Sequence, residues 1–167
     1  LGPLLSGKNL FKLSSSLPAV FPRDQAVIQN FLLPIAQTPA FVADVTEAVD
    51  IWPIWLCPIR NFGAPAPLFA LPLDPEQYVS VGVFGVPRRG AGGGGDLEEA
   101  KQGLEMAMLQ RGGRKVHHAA SYYPLELFYS SIYDGNAYAS LRDKYTAEGV
   151  FPHVHAKVVE DNGQVPP

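Results

Sequence analysis

The sequence holds a single cysteine, Cys57, which excludes an intrachain disulfide and a zinc site built on several cysteines. One thiol fits a reducing compartment without establishing one. Basic residues are in no excess. The 13 Lys and Arg stand against 16 Asp and Glu, for a formal charge of −3. A nucleic-acid-binding surface would carry a basic footprint. Long apolar runs are also missing. The longest uncharged stretch, Gln25 to Ala43, contains Gln25, Gln29, Asn30, Pro34, Gln37 and Pro39. A membrane span needs roughly 20 mainly apolar residues, so this stretch is rejected as one. Lys8 and Lys12 interrupt the only early apolar run, so no signal peptide is read. The chain opens on Leu1 rather than Met, which suggests processing or a piece of a longer protein. No internal repeat is present.

What the chain does have is enough apolar residue for a core, 47% of 167 residues, in a length that fits one domain. It also has 16 glycines and 16 prolines, so loops should be plentiful. Residues 1–24 read as a loop-rich lead-in and residues 161–167 as a disordered tail. Val27 to Ile35 is a dense apolar run and reads as a strand. Thr38-Pro39 is a helix start, a hydroxyl cap followed by proline at the first helical position. Phe41, Val42, Val45, Ala48 and Val49 then recur at helical spacing, with Asp44 and Glu47 on the other face.

Ile51 to Ile59 reads as an uncharged strand. Ile51, Trp55 and Cys57 would lie on one face, with Trp52, Ile54 and Leu56 on the other. Pro53 and Pro58 place this strand at an edge or a bulge. Asn61 to Pro75, rich in proline, reads as a loop. Tyr78 to Val86 alternates, with Val79, Val81 and Val83 on one face. Tyr78, Ser80, Gly82 and Phe84 share the other, where small residues allow a flat group to approach. Gly90 to Gly95 reads as a flexible linker. Asp96 with Glu99 reads as the cap of a second helix with the stripe Leu97, Ala100, Leu104, Ala107 and Met108, ended by Gly112-Gly113. Lys115 to Tyr122 reads as a further strand.

The resulting order, β-α-β-β-α-β, predicts an α+β fold of the ferredoxin-like type, with an antiparallel sheet covered on one face. Residues 25–123 form this unit. Residues 124–160 form a C-terminal helical segment, with helices at Leu125 to Ile132 and Ala137 to Tyr145 and Asn136 as cap of the second. Phe151 to Val159 fits strand or helix equally.

Several constellations suggest chemistry and are better read as structure. The glycine run matches G-x-G-x-x-G, but no carboxylate follows at the next strand end, as a dinucleotide fingerprint requires. His117-His118 would face opposite ways on a strand, and His153-x-His155 has no acidic or cysteine cluster to complete a metal site. No metal is therefore expected. Cys57, without a local base, reads as a buried structural thiol. The crowded tyrosines could pack at a wet edge, or one could serve as proton source in a ligand pocket. Arg142 and Lys144 read as solvated charge that could reach an anionic cofactor.

The segments VIQNFLLPI (27–35), DIWPIWLCPIR (50–60) and YVSVGVFGVPR (78–88) resemble the C-terminal half of sterol side-chain reductases, the delta-24 sterol reductases and their plant Diminuto/Dwarf relatives. The PIWLCP core is the most specific piece. The ending YDGNAYASLRDKYTAEGVFPHVHAK (133–157) is similar too. This resemblance implies FAD-linked oxidoreductases of the vanillyl-alcohol oxidase type. In these, an FAD-binding domain precedes a cap domain over the flavin, and NADPH reduces the flavin for hydride transfer to a sterol C=C bond. It also implies a membrane anchor at the far N-terminus and an endoplasmic reticulum location.

On that resemblance this chain would be the cap portion, without the anchor and the FAD domain. The bets for the sterol pocket are Trp52, Trp55, Cys57 and Phe84. Tyr122 and then Tyr133 are the bets for a proton donor, and Arg142 and Lys144 for the flavin edge. The expected partners are the sterol and the FAD domain. The competing expectation is a non-enzymatic ferredoxin-like module that dimerises through its open sheet face.

Overall fold

The computed structural model describes residues 25–60, 77–88, 94–117 and 119–159. The lead-in 1–24, the loop 61–75, most of the glycine linker and the tail 161–167 lie outside them. Four strands form one open antiparallel sheet. They are β1 (Val27–Pro34), β2 (Trp55–Arg60), β3 (Gln77–Gly85) and the short β4 (Arg114–Lys115), in the spatial order β2-β3-β1-β4. The fold is α+β, as the element order predicts. Helices α1 (Thr38–Val49) and α2 (Gly94–Gln110) pack together on one sheet face.

The register explains the core. Phe31 pairs with Val81, Leu33 with Val79 and Gln29 with Val83, so the odd positions of β1 and β3 share the helix side. Phe41, Val45 and Val49 of α1, with Leu97, Leu104 and Met108 of α2, close over them. Phe31 and Phe41 meet edge to face at 5.0 Å between ring centres. Arg111 reaches across to Asp44 at 2.7 Å and ties the end of α2 to α1.

Several boundaries differ from the sequence reading. Thr38 is the first residue of α1 and not its cap. A short 3-10 turn, Ile35–Gln37, precedes it, and its hydroxyl donates back to the Pro34 carbonyl at 3.2 Å. Helix α2 begins at Gly94, ahead of Asp96. Strand β2 covers only Trp55–Arg60. Residues 51–54 turn in front of it, with a cis Trp52–Pro53 bond, while Ile51 is buried beneath Gly85. It is an edge strand, which accommodates Pro58.

Gly112 and Gly113 end α2 as expected, for two separate reasons. Gly112 takes φ +71° and donates to Leu109 O, and Gly113 donates to Met108 O, both at 2.9 Å. That is the Schellman closure. A Cβ on Gly113 would stand 2.7 Å from the backbone oxygen of Leu32.

The strand expected over Lys115 to Tyr122 shrinks to Arg114–Lys115 plus one parallel bridge between Ser121 and Val159. Beyond it, Leu125–Leu127 is one helical turn that runs into a π turn, Phe128–Ile132. Helix α3 (Gly135–Lys144) is capped by Asp134 rather than Asn136. The Asp134 carboxylate accepts from Ala137 N at 2.9 Å. The ambiguous last segment is helical, α4 (Val154–Val158). Among the described residues, no helix is long and apolar enough to cross a membrane.

Candidate functional site: the open sheet face

The sheet face away from α1 and α2 carries the even positions of β1 and β3 and the odd positions of β2. Pairing sets them in rows: Ile28 beside Phe84, Asn30 beside Gly82 and Trp55, Leu32 beside Ser80 and Cys57, Pro34 beside Tyr78 and Ile59. The face is graded. Tyr78 is 1% exposed at one end, while Ile28, Phe84 and Trp55 are 54, 47 and 65% exposed at the other.

Gly82 makes the open end flat. The Phe84 ring folds along the strand over it, so that a Cβ on Gly82 would lie 2.5 Å from Phe84 Cε2 and 3.2 Å from Trp55 Cβ. Beside this ring the Ser80 hydroxyl donates to Asn30 Oδ1 at 2.5 Å. Trp55, Cys57 and Phe84 are thus brought together on one surface. Trp52, also exposed, stands in the turn that leads into β2. Cys57 is exposed on this face, which corrects the reading of a buried thiol. β2 is an edge strand, and Cys57 lies on the side of the sheet away from α1 and α2.

The two tyrosine bets stand elsewhere. Lys115 pairs with Phe31, on the helix side, and Tyr122 belongs to its surroundings. Lys115 Nζ meets Glu105 Oε2 at 2.5 Å with both side chains buried. The other Glu105 oxygen accepts from Tyr122 N at 2.9 Å, and Lys115 also donates to Ala120 O. The ammonium lies 5.2 Å from the centre of the Tyr122 ring. Burial pushes the Glu105 carboxyl above its ordinary value, against the pull of Lys115.

Tyr133 belongs to an aromatic cluster with Phe128 (4.7 Å between ring centres) and His117 (5.5 Å). Burial raises its phenol to about 12. His117 is held down at about 4 by burial and then by Lys115, so its ring is neutral, bonded to Ser121 Oγ at 2.9 Å.

Arg142 is buried, contrary to its reading as solvated charge. It donates to Glu148 Oε2 at 3.0 Å, to Ala147 O at 3.1 Å and to Phe151 O at 2.8 Å. It therefore closes the turn after α3. Lys144 is exposed, over the Tyr145 ring. Arg142 is committed to its own turn and Lys144 to the Tyr145 ring, so the two are held by different partners. His153 pairs with Glu148 and His155 with Tyr123 O. Among the described residues no three metal-ligating side chains come together.

Comparison with known proteins finds a similarity over most of the chain. The chain is 26% identical over 137 residues to the delta(24)-sterol reductase of Homo sapiens, covering 79% of this chain and 25% of that protein. It is 28% identical over 148 residues to the delta(24)-sterol reductase of Arabidopsis thaliana, covering 80% and 26%. A delta(24)-sterol reductase homolog of Caenorhabditis elegans is 24% identical over 132 residues. The chain is thus similar to delta(24)-sterol reductases over about four-fifths of its length. It corresponds to the C-terminal portion and spans about a quarter of the length of the relatives it matches. No family model and no solved structure matches it.

The three segments on which the sequence resemblance was read, 27–35, 50–60 and 78–88, carry β1, β2 and all but the first residue of β3. The open face is therefore built from the segments that carry that resemblance. Asn30, Glu105 and Lys115 were missed by sequence reading. Glu105 left a signal, being a carboxylate on the same helical stripe as Leu97, Leu104 and Met108.

Proposed function

We propose that this protein supplies the substrate-shaping surface of an oxidoreductase that reduces a carbon–carbon double bond in the side chain of a sterol. The single observation that carries this reading is the flat apolar platform of Phe84, Trp55 and Ile28 laid over Gly82, on strands that bear the family likeness. An exposed apolar patch of this kind marks a binding surface. A fused-ring lipid offers a flat face of matching chemistry, and burying it removes apolar area at about 25 cal/mol per Å².

On this reading the FAD and NADPH of the family are held mainly by residues outside those described. Arg142 organises its own turn, and Lys144 is left as a contact toward a partner domain. The proposal does not use Tyr122 or Tyr133 as proton donor, because Tyr122 lies beside α2 and Tyr133 within the aromatic cluster, away from the platform. An endoplasmic reticulum location belongs to the same proposal.

The two tryptophans of the sequence, Trp52 and Trp55, are both exposed; Trp55 is part of the platform and Trp52 stands in the turn that leads into its strand. Indole emission therefore reports occupancy directly. Titrating the 167-residue protein with a sterol that carries an unsaturated side chain should blue-shift and saturate the emission. Replacing Phe84 with Ser should abolish the shift. Emission unmoved at saturating sterol would contradict the reading. A concentration-dependent shift without sterol, together with a dimer in sedimentation, would favour the dimerisation module.

A further inference from the structure

Asn30 is the polar residue at the centre of the open end of the face. It sits on β1 opposite Gly82, beside the folded Phe84 ring, and is partly buried. Its Oδ1 is taken by the Ser80 hydroxyl, and Ser80 is itself buried. That bond fixes the amide, so Nδ2 is the end left over. The Ser80 bond leaves Nδ2 free of that hydroxyl. Asn30 is only partly buried, so this amide donor stands on the face within reach of a ligand or water oxygen. Of the surrounding side chains, Ile28 and Phe84 are wholly apolar, and Trp55 adds one indole N–H.

We propose that Asn30 Nδ2 is the polar anchor of this surface, donating to the one oxygen of a ring lipid whose apolar body lies on Phe84, Trp55 and Ile28. The proposal rests on the sterol reading above and deepens it. It states which end of the molecule lies on β1: the ring-borne hydroxyl, with the hydrocarbon tail directed away from Asn30. A sugar-like alcohol would leave most of its hydroxyls without partners here. A pure hydrocarbon would leave Nδ2 unpaired.

The test compares a hydroxysterol with its deoxy analogue on the wild-type protein and on Asn30→Leu, read by tryptophan emission. The wild type should bind the hydroxysterol about five- to tenfold more tightly than the deoxy compound, the scale of one neutral hydrogen bond. Asn30→Leu should lose that preference and keep the deoxy affinity. Equal wild-type affinity for both compounds would overturn the anchor and leave the platform standing. Failure of both sterols to bind would overturn anchor and platform together. The wild-type comparison does not depend on whether the variant folds.

Discussion

Three residues carry consequences that single substitutions expose. At Gly82 an added side chain must displace the far end of Phe84, a flexible group, so the fold should lose only about 1 kcal/mol. Gly82→Val should nevertheless abolish the sterol-dependent emission shift. A denaturation curve and a titration on the same variant check the two halves. At Gly113 the obstacle is the Leu32 carbonyl, which cannot swing away. Gly113→Ala should therefore cost more, about 2 kcal/mol or above, in urea unfolding. Lys115 and Glu105 form a dehydrated pair, and breaking it leaves an uncompensated buried charge. Lys115→Met should cost about 3–5 kcal/mol. Adding Glu105→Leu should recover part of this, although Tyr122 N then loses its acceptor. Of these residues only the glycines were legible from sequence. Gly82 stood among small residues on an alternating strand, and Gly113 stood at a helix end. The burial of Lys115 depends on β4 meeting β1, a long-range pairing that local pattern does not reveal.

At the level of elements, strands with strict alternation were read correctly because a period of two leaves little freedom in which face is buried. β3 is the clearest case. β2 was harder. Its uncharged run carries no polar alternation to mark a start, and the turn at 51–54 takes up the first part of it. The segment 115–122 was misread as a continuous strand because its side chains answer to α2 and α4 rather than to a neighbouring strand. Ser121 pairs only with Val159, and His117 enters the aromatic cluster. That entry has a measurable result. The folded His117 titrates near 4 against an ordinary 6.5. The unfolded state therefore binds the proton first as pH falls. Stability is fully present above pH 6.5 and is lost progressively between 6.5 and 4. With solvent screening of this half-buried ring allowed for, the loss is on the order of 2 kcal/mol. Urea unfolding across that window should show the decline, and His117→Gln should flatten it. An unchanged slope in the variant would place the titration elsewhere.

For the molecule as a whole, the open face is its most consequential feature. Among the described residues α1 and α2 cover one side of the sheet, and the other side grades from buried Tyr78 to exposed Phe84 and Trp55. The isolated protein should bind an environment-sensitive apolar dye strongly, and sterol should displace it in competition. Dye binding that sterol leaves untouched would separate the apolar surface from the proposed function. The order of elements made the existence of such a face legible. Its polar anchor was not, since Asn30 in a run of apolar residues looks like an interruption until β3 is laid beside it. The most direct measurement is photolabelling with a ring-substituted diazirine sterol, followed by mass-spectrometric mapping of the adducts. Adducts confined to residues 28–30, 52–57 and 82–86, and removed by excess unlabelled sterol, are the expected result. Adducts spread over α1 and α2, or confined to the turn after α3, would contradict the assignment of this face to sterol.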